Sequence, residues 1–224
     1  MVSSTPIIPC LPSARKKPDH PVFHHLTRPP ARPAEFVADA VRVLGILSFI
    51  GASVFVGGTA FPLFALIVLG QLLPRFLALR PALDIGIGVV LLVAGWSNPF
   101  ELYRMIEHWD VVMHFTANGL IAILAYLLLV RFASPRREPL VLPSAAAIII
   151  TTALGMAAGV VWEIGEWFGH TFIDGGIVVE YNDTIGDLAA GGLGSLVAGF
   201  LVASQAIYTR RGTSEPATTP VPVR

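Results

Sequence analysis

From Phe36 onward, apolar residues come in long runs separated by short polar breaks, and the runs are too long for strands. They predict helices near 38–58, 61–79, 82–97, 109–131, 143–170 and 184–208. A bilayer span needs about 20 residues rising roughly 1.5 Å each. The fourth, fifth and sixth runs meet that requirement, and the third, ALDIGIGVVLLVAGWS, is short. In the first run Asp39 and Arg42 lie one turn apart and can pair. Gln71, Pro74 and Arg75 break up the second, and Asp183 stands before the last as an N-cap candidate. Small residues recur at four-residue spacing in the last two runs: Gly155 and Gly159, Gly165 and Gly169, then Gly191, Ser195 and Gly199. Each group marks a face where backbones can approach closely.

Composition turns these helices into membrane spans. Of 224 residues, 54% are hydrophobic and 13% charged, with a mean hydropathy of +0.70. A soluble domain carries about a quarter charged residues. The expected fold class is all-α, a polytopic membrane bundle of about six transmembrane helices occupying residues 36–208, with the lipid bilayer as its partner. Basic and acidic residues balance at 15 each, so no nucleic-acid partner is expected. The single cysteine, Cys10, excludes an intrachain disulfide and a cysteine-clustered metal site. Residues 1–35 hold eight of 18 prolines and His20, His24 and His25, without the apolar core of a signal peptide. They read as a disordered tail, as do residues 209–224.

The distribution of charge then gives orientation. With six spans and the N-terminus inside, 13 of the 15 Lys and Arg fall on the cytoplasmic side, and Arg104 alone lies in an outer loop. The positive-inside rule therefore fixes an even span count with both termini cytoplasmic. Trp96, Trp109, Trp162 and Trp167 fall near the outer ends, where an aromatic belt would sit.

The same topology gathers the acids. WDVVMHF opens the fourth helix and puts Asp110 and His114 on one face. WEIGEWFGH closes the fifth with Glu163, Glu166 and His170 at spacings of three and four, and YNDTIGDL opens the sixth with Asp183 and Asp187. All three motifs meet at the outer side, bringing together five carboxylates, which is prohibitive facing lipid. Two remedies exist: a bound cation, or several carboxyls kept protonated. Carboxylates with imidazole suit Zn²⁺, Mn²⁺, Fe²⁺ or Mg²⁺ and exclude Cu(I). The candidate ligands of a divalent metal ion are Asp110, His114, Glu163, Glu166, Asp183 and Asp187. Plain wetting of acids at the headgroups and a hydrogen-bonded network that fastens helices are the competing readings. His108 beside Glu107 reads as a solvated loop residue.

In their order, W-D-x-x-x-H-F, W-E-x-x-E-W and D-T-x-x-D-L followed by glycines resemble the YjdF-like bacterial inner-membrane family. The resemblance covers roughly residues 105–200 and implies a multi-span protein with these acids grouped, but no activity. Met113 and Asn182 stand where many members have glycine and an aromatic residue. Three functions follow. One is a metal-dependent hydrolase of a lipid or envelope substrate, with Glu166 as general base. A proton- or cation-coupled transporter is the second, although the acids gather on one side and no inverted repeat is visible. The third is a non-catalytic assembly protein.

Overall fold

The computed structural model describes residues 28–58, 60–133 and 142–204. Among these, seven helices account for all the regular structure: α1 Pro33–Phe55, α2 Ala60–Phe76, α3 Pro81–Ser97, α4 Leu102–Met105, α5 Trp109–Ala133, α6 Ser144–Phe172 and α7 Tyr181–Ala203. Four of them, α1, α5, α6 and α7, are long and apolar enough to cross a membrane, while α2 and α3 are apolar but span 17 residues each. At about 1.5 Å per residue those two are about 26 Å long. The tail expected over 1–35 lies outside the described residues up to residue 27, and the C-terminal one lies outside entirely.

The helix boundaries differ from the sequence reading for local reasons. Residues 33–35 form the first turn of α1, with Pro33 at a position where a missing N–H costs nothing. Glu35 accepts hydrogen bonds from Ala31 N (2.8 Å) and the Arg28 guanidinium (3.0 Å). The helix stops at Phe55 because Gly57 turns the chain at φ 120°. Helix α2 runs through Pro74 and stops short of 79, where Ala78 adopts φ 52°. In an apolar environment a continuous helix leaves only one backbone carbonyl to find another partner there. Helix α7 starts at Tyr181, three residues early, so Asp183 sits inside the first turn rather than capping it. There its charge complements the helix dipole.

Packing sorts the long helices into two sets of three. Helices α1, α2 and α3 contact one another, as do α5, α6 and α7, and α3 joins the sets through α5. Ser97, fully buried, anchors that junction: its Oγ accepts from Trp109 Nε1 at 2.9 Å and donates to Val93 O at 2.7 Å. Trp96 Nε1 likewise donates to Ser48 Oγ at 3.0 Å. Two of the four tryptophans are thus hydrogen-bonded into the bundle, and Trp162 sits ten residues before the end of α6.

Each set has an apolar half and a polar half, at opposite ends of the molecule. In α1–α3, Ala52, Ala60, Phe64, Ile67 and Leu92 pack near the Ser97 end. At the other end Arg42 is buried. It pairs with Asp39, as its spacing predicts, and also with Asp84 of α3, while its Nε donates to Gln71 O at 3.0 Å. Arg75 lies 3.6 Å from Asp39 and donates to the Arg28 carbonyl. In α5–α7 the order is reversed: Ala122, Ile123, Tyr126, Leu127, Ala147, Ala198 and Val202 form the core away from Ser97, and the acids lie beside it.

Close approach in α5–α7 comes from glycine, though not wholly where the four-residue pattern put it. A Cβ at Gly194 would collide with the Phe115 backbone carbonyl, and one at Gly199 would lie 3.0 Å from Ile148 O. Gly159 and Gly191 leave room for the Asn118 amide, whose Nδ2 donates to Gly155 O at 3.2 Å. Gly165 faces open space and marks no packing face.

Candidate metal centre

Asp110 stands in the first turn of α5 and His114 one turn further in, so the helix itself stacks carboxylate on imidazole. His114 Nε2 lies 3.3 Å from Asp110 Oδ1. Helix α7 enters from the other side, held close by Gly194, and brings Asp187 Oδ2 to 3.8 Å from the same nitrogen. Helix α6 contributes Glu163, whose Oε1 is 3.9 Å from His114 Nδ1. The spacing of WDVVMHF, WEIGEW and DTIGD thus converges on one imidazole.

These side chains are withdrawn from solvent to different degrees: Asp187 is 5% exposed, Glu163 10%, His114 14% and Asp110 34%. Glu163 Oε1 is buried without a hydrogen-bond partner, although its carboxylate interacts with the Thr184 hydroxyl. A buried acceptor left unpaired costs about 1–3 kcal/mol, more for a charged group. Glu166 sits one turn beyond Glu163, within electrostatic reach of Glu163, His114, Asp110 and Asp187. Asp183 is likewise within reach of Asp110 and His114.

Asp110, His114 and Asp187 each offer one ligand atom, and the three atoms lie within 4.8 Å of one another. Two ligands about 2.1 Å from one ion stand about 3.0–3.5 Å apart at tetrahedral or octahedral angles. The separations of 3.3 and 3.8 Å around Nε2 are close to that spacing. Small side-chain rotations would complete a three-ligand site, and the crowded carboxylates around one imidazole fit a cation.

The other histidines among the described residues stand apart. His170 is exposed, and its ring Nδ1 pairs with Ile177 O at 2.6 Å, fastening the loop after α6. His108 and Glu107 form an exposed pair at 3.4 Å.

One neighbour was not foreseen. Tyr103, on the four-residue helix α4, bonds the Ser97 side chain and lies within electrostatic reach of Asp110, Glu166 and Asp187. Although 37% of its surface is open, desolvation pushes its phenol up to about 12, with the Asp110 charge adding to the effect. The backbone brackets α4 with left-handed residues, Glu101 at φ 55° and His108 at φ 60°. Phe100, Leu102, Tyr103, Met105 and Ile106, five apolar or aromatic residues in the short segment 98–108, were the available signal that it packs back on the bundle.

Fold and centre together define an α-helical membrane protein with a histidine-bearing acidic site between three helices. Residues 36–208 match DUF2238, a family described as predicted membrane proteins, and the chain belongs to that family. The match includes the first three helices, beyond the 105–200 segment that carried the motif resemblance. No curated protein and no solved structure matches the chain.

Proposed function

We propose that this chain is a six-span protein of the bacterial inner membrane, with both termini cytoplasmic, that binds a divalent cation between α5, α6 and α7. Residues 36–208 form its membrane domain. Asp110, His114 and Asp187 bind the ion, with Asp183 and Glu163 beside them, and the site serves hydrolysis of a lipid or envelope substrate. The carrying observation is the approach of three ligand atoms from α5 and α7 to within 4.8 Å of one another. A divalent ion there would supply Lewis acidity. Glu166, one turn nearer the end of α6, takes the proton of the attacking water as general base. Histidine among the ligands favours Zn²⁺, Mn²⁺ or Fe²⁺ over Mg²⁺.

Elemental analysis of the detergent-purified protein tests the reading. One divalent ion per chain is expected in the wild type, with loss in both Asp187→Asn and His114→Ala. Metal-dependent release of a water-soluble product from envelope lipids, abolished in Glu166→Gln, is expected from the hydrolase. Metal-free wild type, with both ligand variants as stable as the parent, would leave only a wetted helix end. A cation gradient driving flux in proteoliposomes would replace the hydrolase with a transporter.

A further inference from the structure

The ring of His114 divides the acidic cluster. Its Nε2 edge faces Asp110 and Asp187, at 3.3 and 3.8 Å, and its Nδ1 edge faces Glu163, at 3.9 Å. The in-plane lone pairs of an imidazole diverge, so one ion binds through only one of them. Ligand atoms from Asp110, His114 and Asp187 form the close group, and Glu163 is not a member of it. If Nε2 is left free to bind, a neutral ring must carry its proton on Nδ1. That N–H needs an acceptor inside the bundle. The nearby Glu163 Oε1, on a side chain nine-tenths buried, lacks a partner.

We infer that Glu163 is a positioning residue: its carboxylate takes the Nδ1–H of His114 and turns Nε2 toward a cation held with Asp110 and Asp187. The inference rests on the cation reading above and revises one ligand expected from the sequence. Thr184, bonded to the same carboxylate, holds Glu163 from α7. Carboxylate–histidine–metal triads of this kind fix the ring and raise its basicity, and losing the outer partner weakens metal binding about 10–100-fold.

The test uses the full-length protein in detergent with Co²⁺, whose visible spectrum reports its coordination. Glu163→Gln should keep one Co²⁺ per chain and the wild-type spectrum, with binding weakened about 10–100-fold. Glu163→Asp should recover part of that loss, whereas Asp187→Asn should change the spectrum or lose the ion. In the Zn²⁺-loaded wild type, nitrogen NMR of labelled histidine should show the proton of His114 on Nδ1. That measurement decides the matter even if Glu163→Gln fails to fold. A spectrum altered by Glu163→Gln as by Asp187→Asn, or metal on Nδ1, would overturn the inference while leaving the cation site standing. No Co²⁺ or Zn²⁺ binding by the wild type would remove both readings.

Discussion

Replacing Arg42 with leucine removes the cation from a buried ion pair and leaves its partner behind. Arg42 and Asp84 side chains are each 10% exposed, and Arg42 also donates to Asp39 and to the Gln71 carbonyl. Three acceptors on three helices lose their donor in one substitution. Breaking a buried pair from one side costs about 3–5 kcal/mol, because the remaining charge stays buried. Arg75, near Asp39 and within reach of Asp84, offsets part of that, so about 3 kcal/mol is expected. For a chain of this size that corresponds to a fall in Tm of about 6–12 °C. Thermal denaturation in detergent, followed by the loss of monodisperse protein, measures it. Arg42→Leu combined with Asp84→Leu removes both charges and should recover most of the loss, since apolar replacement of a whole buried pair is often neutral. A single variant melting within about 2 °C of the wild type, or a double variant no better than the single, would refute a buried pair that depends on both partners.

Three further outcomes follow from the geometry. Gly194→Ala should destabilise by about 1–3 kcal/mol or more, since its Cβ meets the fixed Phe115 carbonyl, while Gly165→Ala in open space should stabilise by up to about 1 kcal/mol; paired melts compare them. Adding Zn²⁺ at about 100 times its Kd to stripped protein should stabilise it by about 2.7 kcal/mol, seen as a higher Tm that His114→Ala abolishes. Tyr103 should ionise near pH 12 in the folded protein, shown by ultraviolet titration against Tyr103→Phe. Because its folded pKa is raised above 10, the stability it contributes is complete below pH 10 and lost as pH rises through about 12.

The acidic centre was legible because its information is local. Asp110 and His114 are set one turn apart by the helix itself, and antiparallel neighbours fix the depth at which WEIGEW and DTIGD arrive. The Arg42–Asp84 pair, 42 residues apart, was not, because the local partner Asp39 already satisfied the spacing argument. A lone arginine and a lone aspartate in neighbouring apolar runs were the usable signal. Helix α4 escaped for another reason: four residues cannot sustain a helix by propensity, and contact with α5 holds this one. Gly194 escaped because four-residue spacing marks a face without saying which residue crosses a backbone. Contact with Phe115 depends on how α5 and α7 are rotated against each other.

The two polar halves also bear on which of the proposed activities the fold suits. Along α5, the inclined ridge of residues 110, 114, 118, 122 and 126 reads Asp, His, Asn, Ala, Tyr. The first two belong to the centre. The third spends its amide on Gly155 O inside a cradle opened by Gly159 and Gly191. Ser195 donates to its own helix at Gly191 O, 2.7 Å away. Beneath them Ala122, Ile123, Leu127, Ala147 and Ala198 close the bundle. An ion or proton moving down from His114 would therefore meet a hydrogen-bonded floor and then a mostly apolar core whose buried hydroxyls are those of Thr151 and Tyr126. The second charged group offers no continuation, since Arg42 and Asp84 lie in the other helix set at the other end, with Phe64, Ile67 and Leu92 filling the half nearer Ser97. In the described residues the polar groups are offset both sideways and in depth. Such an arrangement suits a centre that works from one end of the helices, and a relay toward the other end would first have to break the Asn118–Gly155 bond.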